Sequence, residues 1–140
     1  MSIPAILAPV FAQVTLTFFL LVWLGRSRVA VLRAREVRMK DVALGQKAWP
    51  DRILQIGNAY NNQFETPVLF YALVALAILT RKADVWFVAM SWLFVLVRVA
   101  HASIYTTANV VSRRFQVFAA GTVVLMLMWL IFAARIFFEA

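Results

Sequence analysis

The stretch Gln55–Leu79, QIGNAYNNQFETPVLFYALVALAIL, decides how the rest of the chain is read. From Pro67 onward it is an unbroken apolar run, while its first half carries Asn58, Asn61, Asn62 and Glu65. Those positions are three, four and seven apart, so on a continuous helix they share one face. A second polar stripe, Arg98, His101 and Tyr105, lies in the apolar stretch Val85–Thr106 with the same helical spacing. Ionisable groups inside membrane-crossing segments are costly to keep there, so they mark candidate functional sites.

Composition supports a membrane setting. Of the 140 residues, 64% are hydrophobic, well above the roughly 45–50% of soluble domains. The net charge of +8 comes from basic residues beside apolar segments. It suits anionic lipid headgroups, and no recognition motif points to nucleic acid. With no cysteine, disulfides and thiolate chemistry of the chain's own are excluded, so any reacting thiol must arrive with a substrate. One histidine and one nearby carboxylate are too few ligands for a metal. No signal-peptide pattern opens the chain, so the first apolar segment is expected to be retained.

Crossing a hydrocarbon core takes roughly 20 apolar helical residues. Four stretches meet this, at about residues 3–24, 55–79, 85–106 and 115–138. They predict an all-α integral membrane protein, one four-helix domain over residues 1–140. The loop from Gly25 to Arg52 carries Arg26, Arg28, Arg33, Arg35, Arg38, Lys40, Lys47 and Arg52 against Glu36, Asp41 and Asp51. Arg113 and Arg114 fall on the same side. The positive-inside rule then places that loop and the turn between spans three and four in the cytoplasm, with both termini outside.

This topology brings the start of span two and the end of span three to one side of the membrane. Glu65 and Arg98 then lie at similar depth on different helices, and a Glu65–Arg98 ion pair is the expected way to lower the expense of burying each. Arg98, His101, Tyr105 and Arg114 together form a cationic, hydrogen-bonding cluster facing Asn62 and Glu65. Such a cluster suits an anionic ligand with amide groups.

The run Arg98-Val99-Ala100-His101, with Tyr105 and then Arg114, resembles the third-helix signature of the MAPEG superfamily, the membrane-associated proteins in eicosanoid and glutathione metabolism. Asn62-Gln63-Phe64-Glu65 followed by Pro67 is similar to that family's second-helix pattern. The resemblance covers nearly the whole chain and looks closer to bacterial-type members. It implies a left-handed four-helix bundle assembled as a homotrimer, with sites between subunits near the cytoplasmic face. It also implies glutathione as co-substrate and a lipophilic small molecule as its partner in reaction.

By the same resemblance, Arg114 would stabilise the glutathione thiolate as the catalytic residue. Asn62, Glu65, His101 and Tyr105 would contact glutathione, Arg98 would pair with the helix-two glutamate, and Asn58 would stand near the carboxylates. The chain departs from the pattern at Asn58 and Asn61, where synthase-like members carry arginines. It departs again at Phe115, where the family has serine, and at Phe118, where it has tyrosine. Arg52 or one of Arg33, Arg35 and Arg38 is a candidate to compensate. The function implied is a glutathione-dependent transferase or peroxidase acting on lipophilic electrophiles. Two alternatives stand beside it: a non-catalytic member of the fold that binds a lipid or partner, and a small transporter using Glu65 as its coupling carboxylate.

Overall fold

A computed structural model describes residues 1–45 and 47–139. Its six helices are α1 (Ile3–Arg33), α2 (Met39–Val42), α3 (Asp51–Asn62), α4 (Thr66–Leu79), α5 (Val85–Thr106) and α6 (Val111–Phe138). Four crossings are long and apolar enough to span a membrane: α1, α3 with α4, α5, and α6.

α1 begins where the Ser2 hydroxyl accepts from the Ala5 N–H at 3.4 Å, with Pro4 in the first turn, where a missing N–H does no harm. It runs well past the expected end of the first span at Leu24, because nothing in Gly25–Arg33 breaks a helix and arginine favours one. At 31 residues it is about 46 Å long, so its arginine-bearing end projects beyond a ~30 Å hydrocarbon core. α6 likewise starts earlier than the apolar run alone suggests, at Val111.

The second crossing corrects the sequence reading, because it is two helices rather than one. Pro67 has no N–H to give, and its ring disfavours helical geometry in the preceding residue. The chain tightens before it: Gln63, Phe64 and Glu65 donate to the carbonyls three residues back, at 3.0, 3.1 and 3.3 Å. α4 then restarts at Thr66. Asn58, Asn61, Asn62 and Glu65 therefore do not form one continuous stripe.

The helices meet in three apolar zones. The largest joins Ile6 of α1, Phe70, Leu73, Val74 and Ala77 of α4, Phe87, Phe94 and Val95 of α5, and Leu125 and Met128 of α6. Toward the other end, Leu20, Ala59 and Ala102 tie α1, α3 and α5 together. Beyond them Leu24 packs on Ile53 and Ile56. Two glycines face neighbouring helices, and only at Gly121 is the approach close. Gly57 lies under Leu24 and Arg28 of α1, and Gly121 of α6 leaves room for Val97 of α5. Small residues let membrane helices approach in this way.

Two polar contacts tie helices across the bundle. The Gln13 amide of α1 donates to Gln63 Oε1 at 2.8 Å, and Gln63 donates to the Ala59 carbonyl at 2.9 Å. A side-chain amide in the middle of α1 thus secures the break between α3 and α4. At the opposite end of the bundle, Asp84 caps α5 by accepting from the Phe87 N–H at 2.9 Å. Asp84 also pairs with Arg135 of α6 at 2.7 Å.

Candidate functional site

The break at residues 63–65 and the α5–α6 turn stand at the same end of the bundle, and between them lies an open cleft of about 260 Å³. Asn62 and Glu65 line it from the break, His101 and Tyr105 from α5, and Val111, Arg114, Phe115 and Phe118 from α6. Five residues expected at the site from sequence (Asn62, Glu65, His101, Tyr105 and Arg114) therefore share one wall-to-wall space.

Arg98 has a different place. It is 1% exposed and stands behind the cleft, where its Nη2 donates to the Asn62 carbonyl at 3.0 Å and also to Asn62 Oδ1. The carbonyl lies at the interrupted end of α3, where it accepts the Glu65 N–H at 3.3 Å, and the guanidinium from α5 adds a second, shorter bond. Asn62 then passes its own amide N–H to Glu65 Oε2 at 2.6 Å. The expected direct Glu65–Arg98 ion pair is absent among the ion pairs of the described residues. Asn62 stands between the two charges and joins them, because the turn at the break brings its side chain to Arg98 first.

Asn58 is also placed elsewhere. It lines a separate polar cleft of about 310 Å³ with Asp51, Leu54, Gln55 and Asn109. Asn61 is exposed. The first-loop arginines stay away from the cleft as well. Arg28 stacks over Trp49 and Arg52 over Trp23, each at 5.0 Å, while Arg38 pairs with Asp41 at 2.9 Å. Among the described residues, Arg114 is the arginine that lines the cleft.

The Arg114 guanidinium lies 4.1 Å from the centre of the Tyr105 ring and donates to Asn109 Oδ1. The His101 ring meets Tyr105 edge-on at 5.8 Å and Phe118 at 5.7 Å, and its Nδ1 is buried without a protein partner. The first turn of α6 has neither an acidic residue nor a side-chain cap. Free N–H groups, the helix dipole and Arg114 all favour an anion at this point. A ligand that brings both a negative charge and hydrogen-bonding amides fits this donor set.

Sequence reasoning missed Asn109 and the Gln13–Gln63 bond. The first carried a weak signal, an asparagine in a predicted turn. The second links positions 50 apart that no local pattern connects.

An apolar groove adjoins the polar cleft. It is lined by Thr66, Leu69, Leu125, Met126, Trp129 and Leu130, among others, and encloses about 620 Å³. It begins one residue from Glu65, and its Thr122 is bonded to the Phe118 carbonyl at 2.9 Å.

No curated protein and no solved structure matches the chain significantly. The model of the MAPEG family does match, over residues 6–134. With its four membrane-crossing stretches, this chain is an integral membrane protein that belongs to the MAPEG family, the membrane-associated proteins of eicosanoid and glutathione metabolism.

Proposed function

We propose that the protein is a glutathione-dependent transferase or peroxidase for lipophilic electrophiles, with Arg114 holding the glutathione thiolate. The observation that carries this is the convergence of Asn62, Glu65, His101, Tyr105 and Arg114 on one cleft that opens beside an apolar groove. A polar thiol and a greasy electrophile would each find a matching surface, with the reacting atoms meeting at the seam.

In a transfer reaction the thiolate sulfur forms a bond to an electrophilic carbon and a group such as chloride leaves with the bonding pair. In a peroxidase reaction one glutathione thiolate takes the outer hydroperoxide oxygen, and a second glutathione closes the disulfide, releasing alcohol and water. Either route needs the thiol ionised. A free thiol titrates at ~8.5, and a neighbouring guanidinium favours the nucleophilic thiolate.

The reading includes a homotrimer with sites between subunits. Glu65 is exposed on the single chain, yet the 14 residues of α4 beyond it place it about 21 Å from the far end of the crossing. A carboxylate facing lipid there is disfavoured, by less than the roughly 2.5–3.5 kcal/mol found at a helix centre. A neighbouring subunit over the cleft would shield it and bring further cations for the glutathione carboxylates. The first loop and the α5–α6 turn are assigned to the cytoplasmic side by their arginines.

Membranes containing the protein are expected to conjugate glutathione to a chlorinated nitroaromatic, with a rate that falls about 10²-fold or more in Arg114→Ala, as for loss of one preorganised donor. Absence of glutathione binding by calorimetry, under conditions that preserve the oligomer, would rule the reading out. A second reading, a non-catalytic lipid-binding member of the family, is favoured by one feature: among the described residues a single arginine lines the cleft while the apolar groove is larger. It gives bound lipid in a native mass spectrum and no thiol-dependent turnover.

A further inference from the structure

Asn109 occupies the turn between α5 and α6 with φ of 49°. Asparagine tolerates this left-handed conformation better than most residues with a side chain. Its N–H donates to the Ile104 carbonyl at 2.8 Å, which fixes the turn. From there its side-chain oxygen accepts from Arg114 Nη1, while the ring of Tyr105 supports the guanidinium at 4.1 Å. Two contacts, one from the turn and one from α5, thus hold the end of a long side chain that would otherwise sample many rotamers.

The chemical character of the acceptor matters as much as its position. A carboxylate at residue 109 would grip the guanidinium more tightly, but it would also cancel much of its field at the cleft. An amide oxygen orients the cation and leaves its charge available. We propose that Asn109 is the positioning residue for Arg114, aiming a fully charged guanidinium into the cleft. This rests on the glutathione reading above. Asn109 also lines the second polar cleft with Asp51, Gln55 and Asn58, so the turn is a wall shared by the two spaces.

The charged and titratable groups around Arg114 are Glu65, His101 and Tyr105 in the cleft, Arg113 beside it in α6, and Asp51 across Asn109. The test is the ultraviolet thiolate signal of glutathione bound to the full-length solubilised protein, followed against pH in wild type, Asn109→Asp, Asn109→Gly and Arg114→Ala. Asn109→Asp keeps an acceptor and adds a charge. It is expected to raise the midpoint of thiolate formation by about one pH unit, a tenfold loss of thiolate well below the midpoint. Asn109→Gly keeps the left-handed turn without the acceptor and is expected to shift the midpoint in the same direction by a smaller amount. Both variants should retain the wild-type thermal midpoint within a few degrees.

If Arg114→Ala moves the thiolate midpoint while folded Asn109→Asp and Asn109→Gly leave it at the wild-type value, the positioning role is wrong and the glutathione reading stands. If wild type itself gives no thiolate signal, the glutathione reading fails and this role fails with it.

Discussion

Arg98 reaches from α5 to α3 and binds both oxygens of Asn62, its backbone carbonyl and its side-chain amide. The buried guanidinium therefore closes a helix end, and Glu65 receives its influence only through the asparagine. Arg98→Met removes two bonds from a buried guanidinium to Asn62 and should destabilise the solubilised protein by about 2–3 kcal/mol. Glu65→Gln removes an exposed charge whose partner is a neutral amide, so its effect should stay below about 1 kcal/mol. Denaturant-unfolding midpoints compare the two. A larger loss for Glu65→Gln than for Arg98→Met would contradict the arrangement.

The Gln13–Gln63 bond is buried and joins α1 to the break in the second crossing. Gln13→Leu strands an amide oxygen and should cost about 1–2 kcal/mol. Because the penalty comes from the partner left behind, Gln13→Leu combined with Gln63→Leu should lose less than the sum of the single changes. A double-mutant cycle measures this, and strict additivity would mean that the two side chains act independently.

Gly57 and Gly121 should respond differently to the same methyl group. A Cβ at Gly57 would meet Leu24 and Arg28 at 3.6 and 3.7 Å, ordinary contact distances. Gly57→Ala should therefore gain up to about 1 kcal/mol from helix propensity. A Cβ at Gly121 would stand 3.0 Å from Val97 Cγ1, so Gly121→Ala should lose that gain to strain. Gly121→Leu should push α5 and α6 apart and lower the thermal midpoint by several degrees.

At the other end of the bundle, hydrogen bonding to Arg135 holds the Asp84 carboxyl below its usual value of 3.8. A lowered folded-state value means that the ion pair contributes its stability above about pH 4 and loses it as pH falls through the depressed value. Asp84 is partly exposed, so the contribution should be no more than about 1 kcal/mol. Asp84→Asn should flatten the acid limb of the stability profile below about pH 4, measured by thermal unfolding in a pH series.

Much of this was legible in the sequence because it depends on strong local patterns. Long apolar runs specify membrane helices, and the spacing of Arg98, His101 and Tyr105 is kept by the unbroken helix α5. The stripe around Asn62 was read correctly only where the helix survives. Pro67 interrupts it, so the break turned Asn62 toward Arg98 and left Asn58 in another cleft. The partner of Arg98 could not be inferred from charge alone, since a backbone carbonyl at the break competes with Glu65. Gln13 and Gln63 found each other through tertiary packing, which leaves no periodic trace.

The interruption at residues 63–65 also constrains how the chain enters a bilayer. α3 has 12 residues and α4 has 14, about 18 and 21 Å, so neither half crosses ~30 Å by itself. At their junction both oxygens of Asn62 accept from a guanidinium that is synthesised 36 residues later. Until α5 emerges, the Asn62 side-chain oxygen lacks that guanidinium, and lipid offers it no hydrogen bond in its place. The second and third crossings are thus stabilised as a unit, a hairpin closed by Arg98.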